Sequence, residues 1–221
     1  MKNYNIAIDG PAGAGKSTIA KAVSKKLNYI YIDTGAMYRA VGLYYLNKNI
    51  DIHSEFEINE LLDDINIDLT YIDGVQQIIL NGENVSNLIR NEEVSSAASV
   101  VSTYKKVREK MVSIQQELAR VNNVVMDGRD IGTVVLPSAD LKIYLTASSE
   151  ERAKRRYKEL LEKGEEVDLE TIKKDIEERD YRDMNRENSP LKQADDAILL
   201  DSSNMTIDEV IDYILNLCNK N

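Results

Sequence analysis

Gly10, Pro11, Ala12, Gly13, Ala14, Gly15, Lys16 and Ser17 follow one another at the spacing G-x-x-x-x-G-K-[ST]. That combination suits phosphate chemistry. Glycine reaches backbone shapes closed to other residues, so successive N–H groups can curl around an anion. A helix starting at Lys16 adds the positive end of its dipole. Lys16 then reaches the β/γ-phosphates and the Ser17 hydroxyl serves Mg2+, with Thr18 closing the loop. The dinucleotide pattern G-x-G-x-x-G fails, because Thr18 stands where its third glycine is required. The expected occupant is a nucleoside triphosphate.

The rest of the chain narrows what the triphosphate is for. A regulatory GTPase reads guanine with N-K-x-D, yet Asn47-Lys48 is followed by Asn49-Ile50. A kinase of small molecules needs positive charge to neutralise the phosphoryl group in flight. Arg39, Arg108, Arg129, Arg155, Arg156, Arg179, Arg182 and Arg186 offer it, and the planar guanidinium binds two phosphate oxygens at once. No Ser–His–Asp pattern or metal cage is visible. None is required if the acceptor is itself a phosphate, whose oxygen is already anionic. Asp127 ends the apolar run Val124-Val125-Met126, where it either holds Mg2+ through water or simply caps a strand.

The elements that must position these residues are legible in the patterning. Tyr4 to Ile8 reads as a strand, and Ile19, Ala20, Val23 and Leu27 recur at helical spacing behind the loop. Ile30 to Ile32 reads as a second strand, followed by a tyrosine-rich helix to about Leu46. Ile67, Leu69 and Tyr71 then alternate with polar residues, and Asp73-Gly74 and Asn81-Gly82 mark hairpin turns in a small antiparallel meander. Helices are expected over Glu92 to Val101 and Lys105 to Val121. Strands are expected over Val124 to Met126, Leu141 to Leu145 and Ala197 to Leu200. Ser148 and Glu151 have capping-box spacing, as do Thr206 and Glu209 before a final helix bearing Ile207, Val210, Ile211, Ile214 and Cys218 on one face. The charged stretch from Arg152 to Lys192 reads as a mobile, solvated helical hairpin outside the core. The fold class is α/β: a parallel sheet flanked by helices, with a three-stranded β insert and a helical lid.

Bulk properties fit that picture. The 221 residues suit one large domain; 43% hydrophobic and 30% charged is globular composition. A net charge of −10 argues against nucleic acid or an anionic membrane as partner, so positive charge for phosphate must be concentrated locally. The one cysteine, Cys218, precludes an internal disulfide and suits a reducing cytoplasm. One lysine and a short apolar run broken by Asp9 make no signal peptide, and no stretch reaches the length of a membrane span. In that setting Asn84-Val85-Ser86 and Asn204-Met205-Thr206 are glycosylation patterns by chance.

Four segments together carry a family likeness. "IDGPAGAGKST" (Ile8–Thr18), "DTGAMYRA" (Asp33–Ala40), "VMDGRDIGTVVLP" (Val125–Pro137) and "EERDYRDMNR" (Glu177–Arg186), in this order, resemble the bacterial cytidylate kinases, which phosphorylate CMP and dCMP. The likeness spans essentially the whole chain, meander included. It implies a P-loop nucleoside-monophosphate kinase fold in a single domain, residues 1–221. The core would take 1–60, 91–150 and 193–221, the acceptor-binding insert about 64–90 and the lid about 151–192. ATP would be the donor and Mg2+ the metal, in a cytoplasmic monomer. The resemblance puts Thr34, Tyr38, Arg39, Ser99, Arg108, Arg129, Asp130, Arg179, Asp183 and Arg186 around CMP, and Arg155 and Arg156 toward ATP. Lys16, Arg129, Arg155, Arg156 and Arg179 would serve catalysis, and Ser17 and Asp127 the metal. Thr34 stands where many members carry serine; the hydroxyl survives.

Residue chemistry accounts for most of this set. Cytosine presents an amino donor at position 4, so its reader must accept a hydrogen bond; Asp130 and Ser99 qualify. Arg108 suits the ring carbonyl, Asp183 the sugar hydroxyls, and Arg39, Arg129 and Arg179 the monophosphate. Other readings stay open at this stage. One alternative pairs Asp130 with an arginine, and Arg152, Lys154, Arg155 and Arg156, interleaved with glutamates, read by pattern alone as a solvated helix face. His53 reads as a surface residue, Cys218 as core, and Tyr44 and Tyr45 as helix packing. Alternatives to the whole reading are a kinase of another small acceptor or a nucleotide-dependent binding module without turnover.

Overall fold

The computed structural model describes residues 3–162 and 164–219; Lys2, the lysine weighed against a signal peptide, lies outside them. In chain order the elements are β1 (Asn5–Asp9), α1 (Lys16–Leu27), β2 (Ile30–Asp33), α2 (Thr34–Asn47), α3 (Glu55–Leu61) and a 3-10 turn (Leu62–Asp64). Next come β3 (Ile67–Ile72), β4 (Val75–Leu80), β5 (Glu83–Asn84), α4 (Glu92–Val101), α5 (Lys105–Val121) and β6 (Val124–Gly128). A π turn (Ile131–Val135), β7 (Leu141–Thr146), α6 (Ser149–Glu162), α7 (Leu169–Asn185), β8 (Ile198–Asp201) and α8 (Ile207–Cys218) complete the chain. Two compact units result, one of residues 1–30 with 122–221 and one of 31–121. Among the described residues no helix is long and apolar enough to cross a membrane.

The first unit is built on a parallel sheet in which β1 lies between β6 and β7, and β8 follows β7. Strands covered on both faces read as unbroken apolar runs, and Ile6, Ala7, Ile8, Val124, Val125 and Met126 are all fully buried. α1 packs on β6 and α8 on α1, with Val210, Ile211 and Ile214 turned inward. Thr206 and Glu209 form the expected capping box. Ser148 Oγ accepts from the Glu151 amide over 3.2 Å at the start of α6. Cys218 is only half-buried, a correction to its reading as core, because it sits in the last turn of α8 beyond the covered stretch.

The hairpin of α6 and α7 corrects a second expectation. It carries an apolar seam of its own: Ala153, Leu160, Ile172 and Ile176, flanked by Tyr157, Val167 and Leu169. Four such residues at helical spacing on two helices suffice for a small core. The charged residues around them conceal it from a composition count.

The second unit holds α2 against α4 and the meander β3-β4-β5. Gly42 on α2 allows the close approach, since a Cβ there would stand 2.9 Å from the Ala98 amide nitrogen. The two hairpin turns have both central residues at positive φ, Asp73 and Gly74 at 51° and 75°, and Asn81 and Gly82 at 50° and 86°. These are the primed turns whose twist matches paired strands. Tyr44 and Tyr45 pack in α2 with ring centroids 5.5 Å apart. His53 is exposed, ahead of α3, whose cap Ser54 accepts from the Glu57 amide.

Candidate active site

The phosphate loop runs from the end of β1 into α1. Gly10, Gly13 and Gly15 have φ of 152°, 73° and 86°, values that side chains resist. At Gly10 the requirement is absolute, since a Cβ would lie 1.9 Å from the Leu145 carbonyl oxygen. Gly15 caps α1 without any side-chain hydrogen bond, and the first turn carries no acidic residue. The positive helix end is therefore not neutralised by the chain's own capping groups.

Lys16 is buried and donates through Nζ to the Pro11 carbonyl over 2.8 Å. Its pKa is pushed down to about 7, first by burial and then by the Arg129 and Arg179 guanidiniums, against support from Asp127 and Asp183. Ser17 Oγ donates to Asp127 Oδ2 over 2.8 Å, which joins the start of α1 to the end of β6. Arg129 Nε donates to Asp183 Oδ2 over 2.8 Å. Burial raises the Asp183 pKa, but Arg129, Arg179 and Arg186 outweigh it and leave the carboxyl below its ordinary value. Arg186 Nη2 stands 3.8 Å from Asp130 Oδ1, both side chains almost wholly buried. Thus Lys16, Ser17, Asp127, Arg129, Asp130, Arg179, Asp183 and Arg186 all belong to the first unit.

Arg155 and Arg156 are engaged elsewhere on that unit. Arg155 Nη2 donates to the Ser202 carbonyl over 2.7 Å, and Arg156 pairs with Glu159 at 3.0 Å. Lys154 pairs with Glu150 and Glu151, as expected of a solvated face. Arg152 does not belong to that face. It is buried against the loop, bonded to the Ala12 and Ala147 carbonyls and to Asp180.

The remaining expected residues lie in the second unit. Asp33 caps α2, accepting from the Ala36 amide over 2.8 Å and from Arg39 Nη2 over 3.2 Å. Thr34, the first residue of α2, is buried. The Arg108 guanidinium lies 5.4 Å from the centroid of the Tyr38 ring and donates to the Ser102 carbonyl over 3.0 Å. Ser99 is on α4, its carbonyl accepting from the Ser102 hydroxyl. Gln76, buried on β4, accepts from the Asp33 amide over 2.9 Å and ties the meander to the start of α2.

Sequence reasoning passed over Asp180 and Gln76, read Arg152 as part of a solvated face and took Asp9 only as a break in an apolar run. Asp9 ends β1 and accepts from the Ile131 and Gly132 amides over 2.8 and 2.7 Å, shaping the π turn that follows Asp130. Burial lifts its pKa to about 6 despite those two bonds. Its one signal was a carboxylate ending an apolar strand directly before the loop, the same signal that singled out Asp127.

Comparison with known proteins gives the family of the chain. The family model described as cytidylate kinase matches residues 6–220. A cytidylate kinase of Caldicellulosiruptor saccharolyticus is 57% identical over 217 residues, covering 98% of this chain and 96% of its own. One of Leuconostoc mesenteroides subsp. mesenteroides is 50% identical over 221 residues, covering 100% and 99%. Among solved structures, an uncharacterized protein from Eubacterium ventriosum is similar across 100% of both chains, with a TM-score of 0.54 at 14% identity, a likeness of fold alone. The chain belongs to the cytidylate kinase family.

Proposed function

We propose that this chain transfers the γ-phosphoryl group of ATP to CMP or dCMP, giving ADP and CDP or dCDP. The observation that carries the reading is the likeness to cytidylate kinases, at 50–57% identity over at least 98% of the chain. The geometry of the phosphate loop supports it. Residues Gly10 to Thr18 hold the triphosphate, and Lys16 leaves the Pro11 carbonyl to meet the β/γ-phosphates. In the second unit, Thr34, Tyr38, Arg39, Ser99 and Arg108 recognise the acceptor. In the first, Arg129, Arg179 and Arg186 neutralise phosphate charge, with Asp130 and Asp183 serving cytosine and sugar.

The acceptor is already an anion, so the reaction needs alignment and charge neutralisation more than a strong base. Ser17 and Asp127 present two hard oxygens 2.8 Å apart beside the loop, a donor set that fits Mg2+. Held there, Mg2+ would supply positive charge against the triphosphate. Arg155 and Arg156 reach the donor by leaving Ser202 and Glu159, and the 1–60, 91–150 and 193–221 core, 64–90 insert and 151–192 lid divide the work. We infer a monomer of the reducing cytoplasm.

An acceptor panel tests the reading: CMP, dCMP, UMP, AMP and GMP with ATP, following ADP release. CMP and dCMP are expected to be the best acceptors. A better acceptor outside the cytosine nucleotides would move the activity to another small-molecule kinase. Bound nucleotide with no acceptor-stimulated ADP release would make the chain a binding module.

A further inference from the structure

Arg152 and Asp180 take both polar backbone groups of one residue in the phosphate loop. Asp180 Oδ1 accepts from the Ala12 amide over 3.0 Å, and Arg152 Nη1 donates to the Ala12 carbonyl over 2.8 Å. The two side chains also hold each other, Nη1 to Oδ2 at 2.6 Å. Arg152 Nε is anchored in turn on the Ala147 carbonyl over 2.9 Å. Arg152 and Asp180 are 6% and 7% exposed, so this ion pair has lost nearly all its water.

Such a pair is a poor device for merely joining two helices. The lost hydration of two buried charges is seldom offset by their attraction, and a well-packed apolar pair serves as well or better. The hairpin already has that apolar seam in Ala153, Leu160, Ile172 and Ile176. An apolar pair cannot, however, fix a loop's N–H and C=O in direction. The loop is seated on the same two helices, since a Cβ at Gly13 would stand 3.3 Å from Arg152 Cβ and 3.7 Å from Ile176 Cδ1.

We propose that Arg152 and Asp180 are positioning residues that hold the Gly10–Gly15 loop in the shape that receives the triphosphate. Through them the loop is fastened to the root of the α6–α7 hairpin. Arg155 and Arg156 follow about one helical turn on, so the fastening also sets the point from which they swing. The proposal rests on the reading of this loop as the triphosphate site.

Two variants of the full chain test it, Asp180→Asn and the double substitution Arg152→Met with Asp180→Leu. Melting temperature, amide exchange of the ligand-free loop, and Mg–ADP affinity by calorimetry are compared with wild type. The double variant is expected to melt close to wild type, because an apolar pair replaces the ion pair. Its Ala12–Gly15 amides should nevertheless exchange about tenfold faster, and its ADP affinity should fall about tenfold or more. Asp180→Asn should move both readouts the same way, and stands alone if the double variant does not fold. Loop exchange as in wild type, or ADP affinity within about twofold of it in either folded variant, overturns the proposal. A gain in ADP affinity also overturns it and makes the pair a brake. Both readouts are taken without acceptor, so wild-type failure to phosphorylate CMP would tell against the kinase reading alone.

Discussion

The Ser17 hydroxyl donates to Asp127 Oδ2 over 2.8 Å across 110 positions of sequence, placing a hydroxyl and a carboxylate side by side at the first turn of α1. Asparagine at 127 keeps the shape and an acceptor oxygen for Ser17 but removes the charge. Asp127→Asn should raise the Mg2+ concentration for half-maximal activity about 10- to 100-fold. The melting temperature should change little. A Mg2+ titration of turnover checks this, and an unchanged midpoint would leave Asp127 as a strand-end cap.

Lys16 carries a pH prediction. Its pKa of about 7 lies below the ordinary 10.5, so within that window the unfolded chain binds more protons than the folded one. Ligand-free protein should therefore gain stability as pH rises from about 7 toward 10.5. Nucleotide binding favours the charged form, so ADP affinity runs the other way and should weaken above pH 7 by up to about tenfold per unit. Calorimetry between pH 6.5 and 8.5 reads this slope. Lys16→Met should abolish it and lower turnover by about two to three orders of magnitude, with little change in melting temperature.

Asp130 distinguishes base reading from arginine orientation. The cytosine 4-amino group only donates and a carboxylate only accepts, whereas uracil presents a carbonyl there. Asp130→Asn should lose activity on CMP and narrow the CMP/UMP ratio of kcat/KM, a contact worth roughly 1–3 kcal/mol. Equal losses on both substrates would assign Asp130 to Arg186, 3.8 Å away, and pass base reading to Ser99 and Arg108.

The loop glycines should differ in how much a methyl group costs. Gly10→Ala meets the Leu145 carbonyl oxygen at 1.9 Å, whereas a Cβ at Gly15 has nothing within 4 Å and incurs only the strain of φ 86°. Gly10→Ala should lower the melting temperature by about 5 °C or more, and Gly15→Ala by clearly less. Thermal unfolding of the pair decides it; equal losses would mean backbone strain outweighs the clash.

Sequence alone determined the residues whose chemistry is local. The phosphate loop, the paired turns at Asp73-Gly74 and Asn81-Gly82, and the Thr206–Glu209 cap each depend on neighbours a few positions apart. Their residue types carry the backbone shape directly. The buried strands were legible for a related reason, since a strand covered on both faces must be apolar throughout. What only the tertiary structure decided are the partnerships across long separations. Arg152 lies in a run of charges indistinguishable from a solvated helix face, and its burial follows from Asp180 and Ala12, 28 and 140 positions away. Asp9 and Gln76 likewise acquire their roles from amides elsewhere in their own units. Burying a polar side chain is tolerable only where partners wait for it, and which partners wait is set by packing, not by the residue's own neighbours.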